Sequence, residues 1–270
     1  RNKQQEQAIL TNPFYSNIAS RLSGSQEYMA AEKLYELFND DRFDLVIVDT
    51  PPTREALDFL EAPQKLMNFL DHRVYRWLMM PARGGLRVLN FAAQPILKTI
   101  GRVIGADVLA DAINFFQAFD GIEEGFRQRA LAVQTLLKST DSKYVVVASA
   151  HHDTIREAIF FTDELARVGT PVTGLIINRL QPKFGKGSAT SSTTAARKAE
   201  QAGDTDLAAL HSNLAHVRRI VQAEEATLKP LLDSVGSAIV IRLYQRATDV
   251  HDLAAIADLG RDLVASTPTR

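Results

Sequence analysis

Four short segments of the chain are apolar at every position instead of alternating: Leu45 to Val48, Tyr144 to Ala148, Val172 to Ile177 and Ala238 to Leu243. Side chains on a strand alternate between faces, so a run without polar positions predicts a strand buried on both sides, as in a parallel sheet. Between the second and third segments the period changes. Ile155, Ala158, Ile159, Thr162 and Leu165 fall on one helical face, Thr154 and Glu157 form a capping-box pattern ahead of them, and Gly169-Thr170-Pro171 ends the helix. Further helices are predicted at 26–38, 213–229 and 252–264. Buried strands alternating with helices predict an α/β fold over 1–270 as one domain, its mostly parallel sheet carrying helices on both faces.

The first and second strands are separated by about a hundred residues, far more than one crossover helix needs. A helical insert over about 72–135 fills the gap in this reading. It carries Trp77, Met79, Met80, Phe91, Phe115 and Phe116, and two roles are open to them. They pack on one another as core, or they line an apolar groove for a partner. From Lys183 to Asp206 the composition turns to Gly, Ser, Thr, Ala, Lys and Gln, which predicts a mobile surface loop with a helix-forming end at Thr193 to Ala202.

A net charge of −1 and a pI of about 6.7 leave no global field for nucleic acid, so no nucleic-acid partner is expected. The absence of cysteine excludes disulfides, thiolate zinc sites and cysteine nucleophiles. The apolar stretch from Leu86 to Phe119 is broken by Lys98, Arg102, Asp107 and Asp111, short of the roughly 20 apolar residues of a bilayer span. The expectation is a cytoplasmic chain, or one peripheral at a membrane.

Residues 43 to 53 carry the most chemistry: Phe-Asp-Leu-Val-Ile-Val-Asp-Thr-Pro-Pro-Thr. A buried strand here delivers Asp49 to its carboxyl end, where a carboxylate can hold a metal-bound water. Thr50 and Thr53 add hydroxyls, and Pro51-Pro52 stiffen the exit. A capping or salt-bridge role for Asp49 is the plainer alternative. Asn178 also follows a strand, and its carboxamide can both donate to and accept from a base edge; the alternative is a turn residue ahead of Arg179. His151, His152 and Asp153 sit at another strand exit, where metal binding or proton relay competes with helix capping and simple exposure. His211 and His216 are off the i,i+4 spacing of paired ligands and are read as solvated. No G-x-x-x-x-G-K-[ST] loop occurs, and the nearest pattern, Gly185-Lys186-Gly187-Ser188, has no strand immediately before it.

The strand-Asp-Thr-Pro-Pro-Thr segment resembles the second switch of the arsenite-pump and tail-anchored-protein-targeting family of P-loop ATPases, the anion-transporting ATPases. Ser23 to Ala30 with Leu34-Tyr35-Glu36-Leu37 is similar to the helix before this switch in the actinobacterial branch. Ala56 to Pro63 continues the likeness, Leu175 to Leu180 is similar to the adenine-contacting strand end, and Asp249 to Leu253 resembles the C-terminal segment. The resemblance implies an ATPase using ATP and Mg²⁺, with Asp49 reaching the metal through water, Thr50 to Thr53 moving as the γ-phosphate is lost, and Asn178 and Arg179 at the base. It also implies a homodimer or a heterodimer with a paralogue, and a groove that opens and closes on a hydrophobic client helix or membrane-protein partner. The P-loop and first switch are then expected before Arg1. Arg54 and Glu55 depart from the Gly and His of many relatives. Two other functions stay open: a partner subunit that binds proteins without hydrolysis, and a metal-assisted hydrolase built on the histidine pair.

Overall fold

The computed structural model describes residues 3, 7, 10–12, 25–50, 53–73, 75, 105, 110–111, 114–115, 118 and 121–265. The chain divides into two compact units, Arg1–Ser139 and Thr140–Arg270.

In the first unit, α1 (Ser25–Phe38), α2 (Thr53–Asp71) and α3 (Glu123–Lys138) pack pairwise. Ala31, Phe59, Val133 and Leu137 form one buried cluster, and Tyr28, Ala62, Met67 and Ala130 form another. An alanine from each helix, Ala31, Ala62 and Ala130, is buried at these contacts, which lets the backbones approach while Phe59 and Met67 fill the space between them. Polar ties lie at the margins. Arg129 reaches Glu32 at 3.1 Å, Arg127 reaches Asp71 at 3.0 Å, and the Tyr75 hydroxyl donates to Glu123 at 3.0 Å. Of the expected insert, α3 is helical, whereas residues 76–104 lie outside the described residues.

One expected strand is not formed among the described residues. Leu45 to Val48 has no regular secondary structure and pairs with no strand among the described residues, and Leu45 and Ile47 are 74% and 83% exposed. An apolar run becomes a buried strand only where neighbouring strands take its N–H and C=O groups, and the first unit has no described strand to do so.

The second unit confirms the α/β class. Strands β1 (Val145–Ser149), β2 (Gly174–Leu180) and β3 (Ile239–Tyr244) form a parallel sheet in the order β1-β2-β3. Helix α4 (His152–Arg167) connects the first pair; α5 (Ala189–Gln201) and α6 (Thr205–Ser234) connect the second; α7 (Leu253–Ala265) follows and touches β3. Helices α4 and α6 pack together, as expected when successive crossovers of one hand run in one direction along a sheet. Register then decides which side chains are covered. Ahead of the register shift, the buried strand residues fall in the rows Val146-Leu175-Val240 and Ala148-Ile177-Arg242, while Val145 and Val147 in the alternate rows are 53% and 63% exposed; Leu180 and Leu243 are buried beyond it. Leu165, Leu175, Ile177, Leu228 and Leu231 are fully buried and form the centre of the unit, each such side chain contributing roughly 1.5–3 kcal/mol.

Three local differences from the sequence reading have physical causes. Helix α4 begins at His152, so Thr154 is not its cap; the Thr154 hydroxyl instead bonds back to the Ser149 and His151 carbonyls, both at 2.9 Å. The helix-forming end expected at Thr193 to Ala202 is helical, but the helix starts earlier, at Ala189, because Ser188 and Ser191 make a reciprocal capping box and Ser192, Ala196 and Ala199 present a small buried face. Helix α6 starts at Thr205 and runs through Pro230, beyond the 213–229 expected; Asp204 caps it by accepting from Leu207 N at 3.0 Å.

Candidate functional site

The carboxyl edge of a parallel sheet is where strand ends and helix N-termini converge, and polar side chains gather there in this chain. Asn178 is half-buried and stands in register with Ser149 at the ends of β2 and β1. Alternation puts this row on the side opposite Ile177 and Ala148, away from the covered rows. The register between β2 and β3 then shifts between Ile177 and Leu180, and within that irregularity Arg179 adopts φ 62°, the only positive-φ residue other than glycine among the described residues. A side chain held in the left-handed region costs roughly 1–2 kcal/mol, and such strain concentrates where a site must be shaped. Leu180 is buried again at 3% exposure.

Beyond the bulge, α6 and β3 grip the chain. Gln181 N donates to Glu224 at 3.0 Å, and the Gln181 carboxamide donates to Gln245 at 2.9 Å. Glu225 accepts from Arg242 Nη1 at 2.9 and 3.1 Å and pairs with Lys183 at 2.9 Å. Burial works to raise the Glu225 carboxyl, but Lys183 and Arg242 together outweigh it and hold its pKa below the ordinary value. Farther on, Arg218 donates to the carbonyls of Phe184 at 3.0 Å and Lys186 at 3.1 Å, and to Ser192 Oγ at 2.7 Å. Together with Pro182, Val221 and Gln222, this loop lines a groove of about 320 Å3. The Gly185-Lys186-Gly187-Ser188 pattern thus turns carbonyls onto an arginine and caps α5; among its contacts nothing marks a phosphate cradle.

The histidine readings separate. His151, His152 and Asp153 are exposed, Asp153 pairs with Arg156 at 2.6 Å, and no group of three His, Asp or Glu side chains suited to a metal occurs among the described residues. Asp49 and Thr50 are exposed in the first unit, at the end of the unpaired segment, and Thr53 opens α2. Phe115 is 8% exposed; Trp77, Met79, Met80, Phe91 and Phe116 lie outside the described residues. Arg218, Glu225 and Arg242 escaped the sequence reading, since a charged residue on a helix face or strand end gives no sign of what it will reach.

The sequence as a whole matches a known family. Residues 2–240 fit the family model described as Anion-transporting ATPase. The chain belongs to that family. It is also similar to the "Arsenical pump-driving ATPase" of Escherichia coli, 25% identical over 264 residues, a match covering 93% of this chain. The chain spans 39% of that relative's length. No helix among the described residues is long and apolar enough to cross a membrane.

Proposed function

We propose that this chain is the base-binding and switch-bearing part of an ATPase in which ATP binding and hydrolysis open and close a helical groove for a client or partner. The observation that carries the reading is the position of Asn178 near the carboxyl edge of the parallel sheet, half-buried and out of the row of the buried Ile177, followed by a strained Arg179. In that position the carboxamide meets an adenine edge with one donor and one acceptor. Asp49, whose carboxylate is exposed, would serve Mg²⁺ through water. Bound Mg²⁺ supplies neutralisation of charge on the transferring phosphoryl group. Thr50 and Thr53 are the switch hydroxyls. The assembly is a dimer of identical chains or paralogues, acting in the cytoplasm or at a membrane surface, and Trp77, Met79, Met80, Phe91, Phe115 and Phe116 belong to the groove.

The test is a pair of substitutions in the full-length protein. Asn178→Ala is expected to lower ATP-over-GTP preference by about tenfold, the loss of roughly one base-edge hydrogen bond, with kcat nearly kept. Asp49→Asn is expected to lower kcat by orders of magnitude with a smaller effect on nucleotide affinity. Equal effects of both on kcat alone, or no nucleotide binding at all, would overturn the assignment.

A further inference from the structure

Helix α6 holds the exit of β2 at successive points. Arg218 takes the carbonyls of the 184–188 loop, Glu224 takes the Gln181 amide, and Glu225 takes two cations at once. The two cations come from opposite sides of the bulge. Arg242 is the register partner of Ile177, the last regular pair before the strand deviates, and Lys183 follows Leu180, where pairing with Tyr244 has resumed. A single carboxylate therefore closes a bracket around Asn178 and Arg179.

We infer that Glu225 is a positioning residue for nucleotide-base selection: by tying Arg242 to Lys183 it fixes the bulge that aims the Asn178 carboxamide. The inference rests on the reading of Asn178 as the base contact. Its physical content is that a bulge holding a non-glycine residue at φ 62° relaxes unless both flanks are fixed. Arg242 is the stronger flank. Its side chain is 20% exposed and needs a counter-charge there, whereas Lys183 at 55% keeps much of its hydration. A neutral carboxamide at 225 keeps the shape but cannot satisfy both cations, so the bracket opens while the buried residues on either side, Ile177 and Leu180, stay packed.

The experiment uses full-length protein and measures affinity for ATP and GTP together with the unfolding midpoint, for wild type, Glu225→Gln, Glu225→Asp, Lys183→Met and Asn178→Ala. Glu225→Gln is expected to reduce the ATP/GTP affinity ratio about fivefold, Lys183→Met about twofold, and Glu225→Asp is expected to recover part of the ratio. A packing role alone would lower the midpoint and leave the ratio untouched. If Asn178→Ala erases the preference while Glu225→Gln and Lys183→Met keep the wild-type ratio, the inference falls and the Asn178 reading stands. If Glu225→Gln does not fold, Lys183→Met decides by the same criterion. Wild-type protein that binds neither nucleotide removes the Asn178 reading and this inference with it.

Discussion

Gly187→Ala should destabilise the second unit more than any other left-handed glycine of this region, because it meets an arginine that cannot step aside. Gly187 has φ 137°, and an alanine Cβ there would stand 2.7 Å from Arg218 Nη1 and 3.2 Å from Arg218 Cζ and Ser191 Oγ. The end of an arginine side chain normally moves away cheaply. Here the guanidinium is pinned by Phe184, Lys186 and Ser192, so a retreat of about 0.7 Å toward ordinary contact cannot keep every hydrogen bond. Backbone strain of about 1–2 kcal/mol and the loss of one or two partly exposed charge-assisted bonds, about 1 kcal/mol each, give about 2–4 kcal/mol. Gly203→Ala is the internal reference. Its φ is 78° and nothing lies within 4 Å of the added carbon, so it should cost only about 1 kcal/mol. Urea unfolding of both variants, and of each combined with Arg218→Ala, measures the difference. The excess at 187 should shrink when Arg218 is absent. Equal costs at 187 and 203, or an excess unchanged by Arg218→Ala, would refute the reasoning.

Thr162 is 4% exposed and its hydroxyl has no hydrogen-bond partner among the described residues, so Thr162→Val should stabilise by about 1 kcal/mol, seen as a higher thermal midpoint; a loss of stability would mean the hydroxyl is satisfied. Burial pushes the Tyr144 phenol up to about 12, which favours the neutral form in the fold. Its contribution is present below the ordinary value of 10.0 and disappears as pH rises through the native one, so Tyr144→Phe should flatten that alkaline loss in unfolding measured at stepped pH. Replacing Met79 and Met80 by Asp should weaken binding of an apolar client helix about tenfold or more while leaving far-ultraviolet dichroism intact; unchanged affinity would place these residues away from the groove.

What could be read from the sequence followed from how local its causes are. Strands β1 to β3 and helix α4 were legible because their apolar periods are strong and short-range, and their boundaries moved by only a few residues. Leu45 to Val48 has the same composition and does not pair among the described residues, since pairing depends on neighbours that a single segment does not encode. The later part of α5 was legible from its helix formers at Thr193 to Ala202, whereas its start was obscured because the buried face, Ser192, Ala196 and Ala199, carries no hydrophobic period. At the site, Asn178 was visible through its position after an apolar run. The bulge beside it was not, because Arg179 stands where sequence rules look for glycine, and the grip of Arg218, Glu224 and Glu225 depends on a helix that starts more than twenty residues later in the chain.

The bulge in β2 also acts as a frameshift in the strand's alternation. Leu175 and Ile177 are buried two apart, as a pleated strand requires, yet the next buried residue is Leu180, three positions on. One surplus residue has been spent so that two consecutive polar side chains, Asn178 and Arg179, reach the rim while aliphatic residues on both flanks stay covered. The length of this segment is therefore under a tighter constraint than its composition. A change of side chain at 179 alters what the rim presents, whereas removing one residue would return the strand to a single frame and force either Leu180 outward or a polar group inward.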